Sequence, residues 1–170
     1  MRFSATSILL ASGCLSFGCL QDNVTEPTSS VRVVQAGWSF GFCIGPCRGD
    51  MGIEGVALSY RISDRTEQQV FAINRGRLTA SGAARIDTLA QALPADLLDQ
   101  YGCPDCADGG ASYFVVDRES GSERTEYEHG NPPPELAAID GYLASVMEAL
   151  RECRVTPDLT PEPGCTPQPS

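Results

Sequence analysis

Gly102-Cys103-Pro104-Asp105-Cys106-Ala107-Asp108-Gly109-Gly110 is the stretch on which the reading of this chain turns. It sets a pair of cysteines in a loop rich in glycine and aspartate, between a segment of helical period and one of strand character. A second cysteine turn, Cys43-Ile44-Gly45-Pro46-Cys47, lies near the start of the folded region. Three chemistries compete for these four sulfurs. The first is structural disulfide, closed within each turn or linking one turn to the other. The second is a zinc cage of Cys43, Cys47, Cys103 and Cys106, because paired-cysteine turns build tetrahedral sulfur sites. The third is a redox dithiol at Cys103-Pro104-Asp105-Cys106. Thioredoxin-type pairs sit where a strand runs into a helix, whose N-terminus lowers the thiol pKa; here the order is helix, motif, strand, which forfeits that dipole. Asp105 and Asp108 add a calcium alternative through oxygen ligands, set against aspartates that each accept a backbone N–H in their own turn.

Compartment favours the disulfides. Arg2 is the only charge before an apolar run from Phe3 to Cys19, a pattern of export. The run is short and rich in Ser and Gly for a membrane-spanning helix. Small residues precede both Cys14 and Cys19, and each tetrapeptide resembles the lipobox of bacterial lipoproteins. Cleavage before Cys14 leaves an unusually short signal, so Cys19 is the expected lipidation site and Cys14 the alternative. Six cysteines then remain: Cys43, Cys47, Cys103, Cys106, Cys153 and Cys165. An even number in an exported chain points to disulfide pairing, and Cys165 is placed to close back on Cys153.

Composition excludes several activities. Of the 170 residues, the twelve basic ones are all Arg, and the net charge is −10. Without Lys there is no Schiff base, no pyridoxal-phosphate anchor and no P-loop lysine. An acidic chain without a basic tract is repelled by phosphate backbones, so nucleic acid is not an expected partner. His129 is the only histidine and has no nucleophile motif beside it. Strand alternation puts Glu126 and Glu128 on one face and His129 on the other. No catalytic residue and no cofactor is assigned.

Along the chain, residues 1–18 read as signal peptide, 19–30 as a flexible polar tether, 31–153 as the domain and 154–170 as a Pro-rich disordered tail. Strands are expected over 31–40, 53–62, 67–79, 111–116 and 123–128, with 41–52 a loop. The lone Trp38 reads as a packing residue. Ser81 is the expected N-cap of a first helix carrying Ile86, Leu89 and Leu93, and Pro94 the start of a second helical stretch through Leu97, Leu98 and Tyr101. Past Pro132-Pro133-Pro134, Leu136, Ile139, Leu143, Val146, Met147 and Leu150 fall on one stripe of the longest helix, 135–151. The fold expected is α+β: an antiparallel sheet of about four or five strands, two or three helices on one face, stapled by disulfides.

The order of these elements resembles an uncharacterised family of exported bacterial domains with a Cys-(Phe/Tyr)-Gly-x-Cys turn after the first strand. The likeness spans about Val31 to Cys153. Cys43, Gly45 and Cys47 match the turn, Ile44 replaces its aromatic, and Arg48 stands where a proline is usual. The resemblance implies fold and compartment and no activity. The expectation is therefore a lipoprotein of the bacterial cell envelope, held to a membrane by its N-terminal lipid and facing the periplasm or exterior. It would act in binding or structure, with a protein partner for the loop holding Ile44 to Met51 a further possibility. An envelope enzyme or metal protein using the paired cysteines is the alternative.

Overall fold

A computed structural model describes residues 31–168, so the lipidation expected at Cys19, with Cys14 the alternative, lies outside the described residues. Seven strands form one antiparallel sheet in the order β6-β5-β1-β2-β3-β4-β7. They are β1 (Arg32–Ser39), β2 (Arg48–Glu54), β3 (Ala57–Ser63), β4 (Val70–Leu78), β5 (Ala111–Arg118), β6 (Gly121–Glu128) and β7 (Leu159–Pro161). Helix α1 (Ala80–Gln91) follows β4, and α2 (Ala137–Arg151) follows β6.

Seven strands replace the expected four or five. The segment 53–62, read as one strand, is split by a hairpin turn. Glu54 pairs with Ala57, and Gly55 takes φ +59° as the first of two loop residues, the position where glycine costs least. Before the turn, β2 reaches back through 48–52, part of the expected loop 41–52, where Gly49 and Gly52 interrupt the apolar alternation. The seventh strand, β7, comes from the Pro-rich tail, which is not the disordered segment expected. Nor do 94–101 form a helix: Tyr101 N–H donates to Glu126 O at 2.8 Å and Glu126 N–H to Asp99 O at 2.9 Å, which shields the β6 edge.

Alternation along the strands assigns one sheet face to the core. Val33, Ala36, Met51, Leu58, Tyr60, Ile62, Phe114, Val116 and Leu159 join Ile86 and Ala90 of α1 and Ile139, Leu143, Val146 and Leu150 of α2 in a single buried cluster. Each fully buried Leu, Ile or Phe contributes about 1.5–3 kcal/mol. Among the described residues no helix covers the opposite face. There the Tyr113 ring lies across Gly37, where an added Cβ would meet it at 2.7 Å. Arg124 sits 3.6 Å from the ring centroid, and the Tyr113 hydroxyl donates to Asp50. Burial and that carboxylate push the Tyr113 hydroxyl up to about 12.

Thr79, not Ser81, caps α1: its side chain accepts from Gly82 N–H, while Ser81 Oγ donates to Pro157 O at 2.9 Å. The tail crosses so close here that a Cβ at Gly82 would lie 2.2 Å from Asp158 O. At the far end of α2, Cys153 takes φ +55°. Arg154 N–H donates to Ala149 O at 2.8 Å and Cys153 N–H to Leu150 O at 3.3 Å. These are the two bonds of a Schellman cap, with cysteine in glycine's usual place. From that cap the tail returns. Asn74 of β4, buried, donates to Leu150 O and Thr166 O at 2.9 and 3.0 Å and accepts from Thr166 N–H at 3.1 Å. Beyond β7, side-chain hydrogen bonds and a crosslink fix the path without a further regular element.

Candidate functional site

The three cysteine pairs are Cys43–Cys47, Cys103–Cys106 and Cys153–Cys165. Each turn closes on itself, so of the connectivities open from sequence the local ones are found. With all four turn sulfurs oxidised, no thiolate is left for the zinc alternative. Asp105 Oδ1 accepts Gly41 N–H at 3.0 Å, a bond to a neighbouring loop and not the local turn bond expected, and among the described residues no cluster of three metal-ligating side chains forms. That Asp105 contact is close enough that a Cβ on Gly41 would sit 2.3 Å from Oδ2.

These turns build a wall. Gly110 O accepts from Asp105 N–H at 3.0 Å and from His129 N–H at 3.2 Å. Gly110 has φ +78°, and a Cβ there would lie 2.4 Å from two Phe40 ring carbons. Phe40 therefore seats on the glycine, and the His129 ring meets it edge-on with centroids 5.0 Å apart. Trp38 stands next in line, 5.6 Å from Phe40 by centroid. Its indole N–H donates to Tyr60 OH at 3.0 Å. Gly49 makes that bond possible, because a Cβ would sit 2.5 Å from both atoms. The ring is thus locked by a hydrogen bond and by a missing methyl.

Facing this wall is one stripe of α2. Asp140, Ala144, Met147, Glu148 and Arg151 are spaced three or four apart and so share a helix face. Between wall and stripe lies a cleft of about 400 Å³. Trp38, Glu148 and Arg151 also border a second groove of about 660 Å³, which runs on to Ile62 and Phe71. Trp38, expected as a packing residue, is partly exposed and lines both.

The polar groups of the cleft are few. Asp140 Oδ1 accepts from Tyr127 OH at 2.6 Å, and burial with that carboxylate raises the Tyr127 pKa far above its usual value. Arg151 grips Glu148 with two bonds, 2.9 and 2.5 Å, which raise the arginine pKa and lower that of the glutamate. Its third nitrogen donates to Gln168 O at 2.9 Å. His129 Nδ1 lies 2.9 Å from Ser112 Oγ. Desolvation holds the imidazole below its ordinary 6.5, against the pull of Asp140, so the ring is neutral at pH 7. Ser112 is buried in β5 at 6% exposure. It lines the cleft, and its hydroxyl holds the His129 ring.

Sequence reasoning singled out Cys103, Cys106, Asp105, Trp38 and His129, and the structure brings the two cysteines and Asp105 in as supports for a site they do not line. It missed Phe40, Ser112, Asp140 and Glu148. The readable signal was on α2, where acidic residues recur at helical spacing beside the apolar stripe instead of opposite it. Ile44, in the loop where a partner contact is expected, is 104% exposed, and Phe42 just before that loop is 80% exposed.

No family model, no curated protein and no solved structure matches this chain. Its class rests on its own architecture: a seven-stranded antiparallel sheet with helices over one face, three disulfides, and an aromatic cleft between sheet and helix.

Proposed function

We propose that this chain is a binding module of the bacterial cell envelope, tethered by lipid on Cys19 and taking a small ligand in the cleft between β1 and α2. One observation carries the binding role: rigid aromatic rings, Trp38 and Phe40, stand partly exposed in a preformed concavity. Apolar concavities with a few converging polar groups are where small ligands settle. Orientation agrees with tethering. The described chain enters at the Arg32 end of β1, whereas Trp38 and Phe40 sit at the other end, about 20 Å further along an extended strand. A domain held from that first end presents its cleft outward. Three disulfides suit an oxidising compartment.

The ligand role is tested by titrating pooled small molecules into the isotope-labelled protein. Some pool should shift the indole N–H of Trp38 together with α2 amides, and a screen that leaves them all unmoved refutes it. For the anchor, Cys19→Ser should release the protein from membranes. Retention with the lipid label still attached transfers the role to Cys14, and absence of any label in the parent chain removes the anchor altogether.

A further inference from the structure

The charge balance inside the cleft goes further than the presence of a cleft. Besides tyrosines, whose pKa values are raised, four ionisable side chains line it: His129, Asp140, Glu148 and Arg151. Glu148 and Arg151 cancel one another. Three of the five guanidinium N–H groups are already bonded, to Glu148 or to Gln168 O, and the Glu148 carboxylate beside them opposes an incoming anion. His129 is neutral near pH 7. Asp140 remains. Among the described residues its carboxylate accepts only from the Tyr127 hydroxyl, and no arginine lies within ion-pair range of it. The cleft therefore holds one uncompensated negative charge.

Aromatic rings line the same cleft. Trp38 and Phe40 present aromatic surface, with Trp38 fixed by its bond to Tyr60. Ring faces carry the negative end of the aromatic quadrupole and attract cations, Trp most strongly. An anion would meet Asp140 and ring faces of the same sign. A neutral apolar ligand would strip water from the Asp140 carboxylate and give nothing back, which is costly. A compact organic cation satisfies both the rings and the carboxylate, and the net charge of −10 favours its approach.

We infer that the cleft binds an organic cation, an amine or quaternary ammonium group seated between Trp38, Phe40 and Asp140. This deepens the proposed binding role and rests on the cleft being a ligand site. Trp38 is the only tryptophan, so its emission reports directly on the cleft. Choline is the probe, titrated at fixed ionic strength beside its neutral carbon isostere dimethylbutanol. Choline should change the emission saturably, with the isostere about tenfold or more weaker. Asp140→Asn keeps an oxygen for the Tyr127 hydroxyl and should lower choline affinity about tenfold, to the level of the isostere, with the melting temperature held. Equal affinity for the two probes, or an Asp140→Asn protein that binds choline as before, overturns the cation assignment and leaves the cleft a ligand site. Silence towards both probes alongside pools that do bind overturns it in the same way. Silence towards every probe and pool overturns the binding role itself.

Discussion

Asn74→Ala should unfasten the C-terminal segment from the sheet. The side chain is 2% exposed and makes three hydrogen bonds, to Leu150 O at 2.9 Å, Thr166 O at 3.0 Å and Thr166 N–H at 3.1 Å. A typical intramolecular hydrogen bond contributes about 1 kcal/mol net. Leu150 O keeps its bond from Cys153 N–H, and exposed Thr166 can turn to water, so no large penalty for an orphaned buried group is added. The sum is about 3 kcal/mol. For a domain of this size one kcal/mol moves the melting point by roughly 3 °C, which gives a loss of about 10 °C. Circular dichroism melts would read the loss, and amide exchange would show protection falling first at Thr166 and Gln168, whose N–H groups bond Asn74 and Arg151 O. A variant melting within about 3 °C of the parent, with Thr166 still protected, would refute the claim that Asn74 holds the tail.

Three further outcomes follow from the geometry. Cys165→Ser opens a loop with a sequence separation of 12, which the chain-entropy model values at about 3 kcal/mol; reducing the parent should bring its melt toward the variant's, and a reductant-insensitive parent would contradict this. Gly110→Ala should destabilise by about 2 kcal/mol through its φ of +78° and the Phe40 ring 2.4 Å from the new Cβ. Gly130→Ala, with a similar φ of +73° and nothing within 4 Å, is the control; equal melting of the two would remove the Phe40 contact from the account. Because burial lowers the His129 pKa from 6.5, the unfolded chain takes up the proton first as pH falls. Stability should therefore be fully present above about pH 6.5 and decline on acidification until the folded ring also protonates. Comparing melts of the parent and His129→Gln between pH 7.5 and 5 isolates that slope, and identical slopes would refute it.

Much of the chain was legible because local patterns carried it. The stripe from Leu136 to Leu150 gave α2, the aromatic and β-branched run of Ala111 to Val116 gave β5, and paired cysteines a few residues apart could only reach each other or another turn. What stayed hidden depended on partners distant in sequence. Gly49 and Gly52 looked like loop residues, yet Gly49 is the vacancy into which Trp38 and Tyr60 converge, a reason no local window contains. Leu159 reads as one apolar residue among prolines; it becomes a buried strand residue because Leu78 pairs with it and Asn74, Gly82 and Cys153 hold the tail in place.

Period and composition thus determined the layers of this protein, since burial of an amphipathic face is a local demand that the order of residues states openly. Tertiary structure alone decided the strand count and the cleft. Both arise where backbones approach too closely for a side chain, and where a carboxylate of α2 and aromatic rings from elsewhere in the chain come to line one cleft.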